Sequence, residues 1–147
     1  MKRDAGDVVD RYSIAKLKQK RIGGFEAKLE AADFYRGFFD LKRKYPGMRW
    51  KAVLLRMSTI NGDIWDLESE LRQGSIDDDV LQCGKIAVQV RKINAKRVAF
   101  KNYINRALEQ GVQDVKQNHI SEGTPEDFIT FEEFCAWYVL PRRNGTR

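Results

Sequence analysis

Apolar residues recur every three or four positions along most of this chain, and glycine or proline breaks the pattern at a few well-spaced points. That combination points to packed helices. A 3.6-residue period puts one apolar stripe on each segment, and the stripe is stable only when another element covers it. The clearest run is Trp50, Leu54, Met57, Ile60 (or Asn61), Ile64, Leu67 and Leu71, which predicts a helix over about 49–73 with Gly74 at its end. Upstream, Asp7 is the expected N-cap of a helix over about 7–22, and Gly23-Gly24 is its stop. A second helix over about 25–44 carries Phe25, Leu29, Ala32, Phe38 (or Phe39) and Leu41 on its expected apolar face, and "YPGM" at 45–48 ends it.

Beyond Gly74, Ser75 is expected to open a long helix over about 76–110. Asp77, Asp78 and Asp79 then fall in its first turn, where the helix dipole favours acids, and Gly111 stops it. So short a connection predicts an antiparallel hairpin of helices three and four. "VQDVKQNHISEG" reads as a short helical start followed by loop. Thr124-Pro125-Glu126 sets a capping threonine before proline at a first helical position, and Thr130 with Glu133 matches a capping box. That box opens a last helix carrying Phe131, Phe134, Trp137, Tyr138 and Leu140, ended by Pro141. The expected fold is all-α: one helical domain over 1–147, built on the long hairpin, with two N-terminal helices packed on it and a short aromatic C-terminal helix.

Chain length and composition agree. At 147 residues the chain can bury a real core, and 42% hydrophobic with 33% charged residues describes a globular rather than a disordered chain. No apolar run approaches the ~20 residues of a membrane span. "MKRDAGDVVD" lacks the apolar stretch of a signal peptide. Cys83 and Cys135 are far apart, as expected for reduced thiols in a cytoplasmic protein. The formal net charge of +6 favours an anionic partner, although acids are interleaved with the bases.

Two polar rows stand out within the helical periodicity. Asn61, Trp65, Glu68 and Arg72 share one stripe of helix three, and Asn94, Arg97 (or Val98), Lys101 and Asn105 share one of helix four. Two readings are open. In one, Glu68 pairs with Arg97 or Lys101 between the helices and the asparagines satisfy one another, which would fix register. In the other, the cations and amides hold an anion or a polar ring beside the Trp65 indole. Gly62 would let another backbone approach at that level.

The same residues carry a resemblance. "VVDRYSIAKLKQKRI", "INGDIWDLESELR" and "INAKRVAFKNYIN" resemble, in order and spacing, three blocks of a bacterial and phage-borne domain family of unknown function, sometimes found near glycosyltransferases. Its pattern is V-D-K-x-[ST]-I-L-E-I-K, then N-x-x-[IL]-W-x-[IL]-E-x-x-[IL]-R, then N-D-x-R-x-x-[IL]-K-x-x-I-N. Matches fall at Val9, Asp10, Ser13 and Ile14, at Asn61, Ile64, Trp65, Leu67, Glu68, Leu71 and Arg72, and at Asn94, Arg97, Lys101, Ile104 and Asn105. Arg11, Ala15-Lys16 and Ala95 depart from it. The resemblance covers a core within 1–118, so 119–147 reads as a C-terminal extension ending in the basic tail "RRNGTR". It implies a shared fold and no particular activity.

Enzymatic signatures are weak. One histidine, His119, and two distant cysteines do not make a zinc site, and no P-loop, Rossmann fingerprint or Ser/His/Asp set is present. Asp63, Asp66 and Glu70 resemble one metal-holding helix of the all-α nucleotide pyrophosphatases, but no second acidic pair follows on helix four. The expectation is a non-catalytic accessory protein with no cofactor or metal, a preference, on charge, for an anionic ligand such as a nucleotide or sugar phosphate, and self-association into a homo-oligomer. A nucleic-acid or protein-interaction module, using the clusters "KLKQKR" and "LKRKY", and a magnesium-dependent nucleotide hydrolase are the alternatives.

Overall fold

The computed structural model describes residues 3–110 and 125–141. Its described residues form five helices: α1 (Ala5–Arg21), α2 (Phe25–Lys44), α3 (Trp50–Arg72), α4 (Val80–Gln110) and α5 (Phe131–Tyr138). The expectations for the 111–124 segment, with Gly111, His119 and Thr124, and for the tail at 142–147 lie outside the described residues.

The glycine stops work as expected. Gly23 and Gly24 take φ values of 77° and 97°, the left-handed region that favours glycine, and turn α1 back into α2. Helix α1 starts earlier than predicted, because Asp4 rather than Asp7 is its N-cap and accepts from Asp7 N–H at 2.8 Å. Helix α4 starts later. Residues 74–79 form turns, and Asp79 Oδ1 accepts from Gln82 N–H at 2.9 Å. Aspartate competes with the backbone for hydrogen bonds, so the triple-aspartate run belongs to the connection instead of the first helical turn.

Helices α3 and α4 form the antiparallel hairpin, and α1 packs against both. Helix α2 packs chiefly on α1, which corrects the expectation that both N-terminal helices lie on the hairpin. Its buried residues are Ala31 and Phe38. Phe25 is 73% exposed and Leu29 50%, so the predicted apolar face of α2 is largely uncovered. In α3, Val53, Met57 and Ile60 are buried with Trp50, whose indole N–H donates to the Tyr45 carbonyl at 2.7 Å.

Helix α5 joins the same core. Thr130 and Glu133 form the predicted capping box. The Phe134 ring lies 5.2 Å from that of Phe100, 5.7 Å from Tyr103 and 5.0 Å from Tyr138. The helix ends at Tyr138, so Leu140 is not part of it. The chain continues extended, with Arg49 N–H donating to the Tyr138 carbonyl and Leu140 N–H to the Gly47 carbonyl, both at 2.7 Å.

Candidate functional site

Helix α1 turns two polar side chains towards the hairpin. Asp10 is 1% exposed and Ser13 is fully buried. A carboxylate in that position must be paired or lose its charge. Arg97 of α4 meets it at two points, with Nε donating to Oδ1 at 2.9 Å and Nη2 to Oδ2 at 2.5 Å. The planar fork of the guanidinium suits this two-point contact. Asn61 of α3 donates its Nδ2 to Asp10 Oδ1 at 2.9 Å and to Ser13 Oγ at 2.7 Å, and the Ser13 hydroxyl donates to the Asp10 carbonyl. One network thus ties three helices together.

Burial alone pushes the Asp10 carboxyl up. Hydrogen bonds from Arg97 and Asn61, with the charges of Arg97 and Lys101, more than offset it and hold Asp10 below the ordinary aspartate value. The hydrogen bond to Asp10 raises the Arg97 guanidinium, against burial, with smaller help from the charges of Asp10, Asp7 and Glu68. Both partners of the pair are therefore charged.

Below the network, Lys101 Nζ lies 3.4 Å from Asp7 Oδ1 and 3.7 Å from Asp10 Oδ2. Asn105 Oδ1 accepts from Gly6 N–H at 2.7 Å. A Cβ on Gly6 would sit 2.5 Å from the Lys101 carbonyl oxygen, so glycine sets how closely α1 and α4 approach. This is the close backbone approach expected at Gly62. There the nearest group is the Arg21 guanidinium, at 3.5 Å from an added Cβ.

Above the network a cleft of about 510 Å³ opens between α1, α3 and α4. Ile14, Leu17, Ile64, Ala87 and Val90 give it apolar walls, and Asn61, Trp65, Glu68, Arg91, Asn94 and Arg97 supply polar groups. Arg97 Nη1 donates to Asn94 Oδ1 at 3.1 Å, so the buried pair also positions a cleft amide. Arg91 is exposed and has no ion pair among the described residues.

Of the residues predicted from the two rows, Asn61, Trp65, Glu68, Asn94 and Arg97 line this cleft. Lys101 and Asn105 do not, and instead hold the start of α1. Arg72 is exposed and donates to Ser69 Oγ at 3.3 Å, away from the cleft. The predicted pairing of Glu68 with Arg97 or Lys101 is replaced, because both cations turn to carboxylates of α1. Asp10 is shielded from solvent and needs a partner, whereas Glu68 is exposed to solvent. The hairpin-only reading missed Asp7, Asp10, Ser13 and Gly6. Gly6, Asp10 and Ser13 are small or polar residues within about 100° of Val9 on helix one, which was their signal in the sequence, whereas Asp7 lies off that face.

The acids on the outer side of α3 do not gather. Asp66 Oδ1 is bonded to Arg21 Nη1 at 2.5 Å, and Arg21 also lies 5.8 Å from the Trp65 ring centroid. Among the described residues no group of three His, Cys, Asp or Glu side chains is arranged to hold a metal ion. Fold and site define an all-helical bundle with a mixed polar and apolar cleft over a buried three-helix junction. No protein-family model, curated protein or solved structure matches the chain.

Proposed function

We propose that this chain is a non-catalytic binding protein for a small anionic ligand, a nucleotide or a sugar phosphate, held in the cleft of α1, α3 and α4. The observation that carries the reading is Trp65 and Arg91 on the walls of one cleft, the arginine without a carboxylate partner among the described residues. The volume falls within the ~300–1,000 Å³ of small-molecule sites, and apolar residues of three helices stand beside polar groups able to orient a ligand. An indole face stacks a base or a sugar ring, and a guanidinium takes a phosphate at two points. Asn94 and Glu68 offer hydrogen bonds to hydroxyl or amino groups. Arg97 is committed to Asp10, so its part is to hold the wall and not to carry the anion. Glu68 is the single carboxylate among the lining residues, which supports binding over turnover.

A thermal-shift screen with nucleoside mono-, di- and triphosphates and sugar phosphates tests this. A ligand that binds the native state raises the unfolding temperature by mass action. The shift should vanish in Trp65→Leu and in Arg91→Gln, while each variant keeps its own unliganded melting temperature. A screen without a shift, or variants that bind as well as the parent, rejects the reading.

A further inference from the structure

The outer side of the α1–α2 pair presents the rings of Tyr35 and Phe39 beside cations, with half-buried Tyr12 at the end of the row. Tyr12, Tyr35 and Phe39 form a row, with ring centroids 5.6 Å and then 6.1 Å apart. Lys16 Nζ lies 5.6 Å from the Tyr12 ring, Lys42 Nζ 5.5 Å from Tyr35, and the Arg43 guanidinium 5.9 Å from Phe39. Tyr35 and Phe39 are 40% and 42% exposed. None of the three cations forms an ion pair among the described residues. At 3.6 residues per turn, Tyr35, Phe39, Lys42 and Arg43 share an arc of about 100°, and the carboxylates of α2 (Glu26, Glu30, Asp33 and Asp40) all fall outside it.

We infer that this row is a binding surface for single-stranded nucleic acid, with bases stacked on the rings and phosphates on the neighbouring cations. A nucleotide is itself a flat ring joined to an anion, and the exposed rings of Tyr35 and Phe39 beside Lys42 and Arg43 match that pairing. Paired bases inside a duplex hide their faces, so exposed rings favour a single strand. An interfacial membrane helix segregates its apolar residues from its cations. Here they are interleaved, and burying the rings in lipid would take the ammonium and guanidinium groups with them. An acidic protein would satisfy the cations but has no equivalent use for a row of ring faces. The surface is separate from the cleft, which faces α3 and α4.

Fluorescence anisotropy with a labelled oligothymidylate of about 15 nucleotides, within the span single-strand binders cover, tests the inference. Binding should weaken steeply between about 50 mM and about 200 mM salt. The same sequence as a duplex, and anionic vesicles of phosphatidylserine and phosphatidylcholine, should bind far less. Phe39→Leu and Tyr35→Ser should each lose about tenfold in affinity with little change in the salt slope. Lys42→Gln and Arg43→Gln should each lower the slope by about 0.7. Trp65→Leu, in the cleft, should leave oligonucleotide binding intact. Circular dichroism melts confirm that the exposed-face variants are folded. No binding at the lower salt, equal binding of duplex, preference for vesicles, or ring variants that bind like the parent would each overturn it.

Discussion

Asp10 and Arg97 are 87 residues apart in the chain and meet as a two-point ion pair across α1 and α4, with the aspartate almost wholly buried. Stranding one partner differs from removing both. Arg97→Met leaves a buried carboxylate without its main partner and should cost about 3–5 kcal/mol. Asp10→Leu with Arg97→Met should recover most of that loss, because no orphan charge is left. Urea unfolding of the two single variants and the double variant measures the coupling. Glu68→Leu with Arg97→Met should give no such recovery, since Glu68 is not the partner.

Gly6→Ala is expected to destabilise by about 1–3 kcal/mol or more, because the added carbon meets a backbone carbonyl and forces α1 away from α4. Helix content by circular dichroism should barely change while the urea midpoint falls. An alanine variant as stable as the parent would show that this approach is not tight.

Acid should weaken the junction with a definite sign. The folded Asp10 carboxyl titrates below its unfolded value of about 3.9, so the unfolded chain binds more protons on the acid side. The stabilisation is complete above that value and is lost as pH falls through it towards the folded value. Between about pH 5 and about pH 3, the parent should lose more stability than Asp10→Asn, which carries no titrating group at that site.

Phe134→Ala should cost about 3–5 kcal/mol, since the ring is fully buried among Phe100, Tyr103, Phe131 and Tyr138. The whole molecule should melt earlier in a single transition, because α5 shares its core with α1, α3 and α4. A separate early transition, with the rest unfolding at the parent's temperature, would mean that the C-terminal segment is only loosely attached.

Much of the local structure was legible. The stops at Gly23-Gly24, "YPGM" and Gly74 rest on backbone chemistry that acts over a few residues, as does the Thr130–Glu133 box. Helix starts were less legible at Asp4 and Asp79, because several nearby aspartates are equally good caps and the choice depends on what else each carboxylate meets. Asp7, the expected cap, is drawn into contacts with Arg11 and Lys101. Five of the eight predicted site residues reach the cleft, because residues on one stripe of a helix stay together wherever the helix goes.

The sequence by itself determined that the chain is helical, where most of its helices break, and which polar residues share a stripe, since period and turn chemistry are local. Only the tertiary structure decided who meets whom. It set α1 against both helices of the hairpin, so that Arg97 and Lys101 found Asp10 and Asp7 instead of Glu68. It also left one face of α2 uncovered. A helical stripe says that a face must be accounted for. Which partner accounts for it depends on contacts between residues distant in the chain, and there the cost of leaving a charge unpaired in the interior outweighed the weak preference of an exposed one.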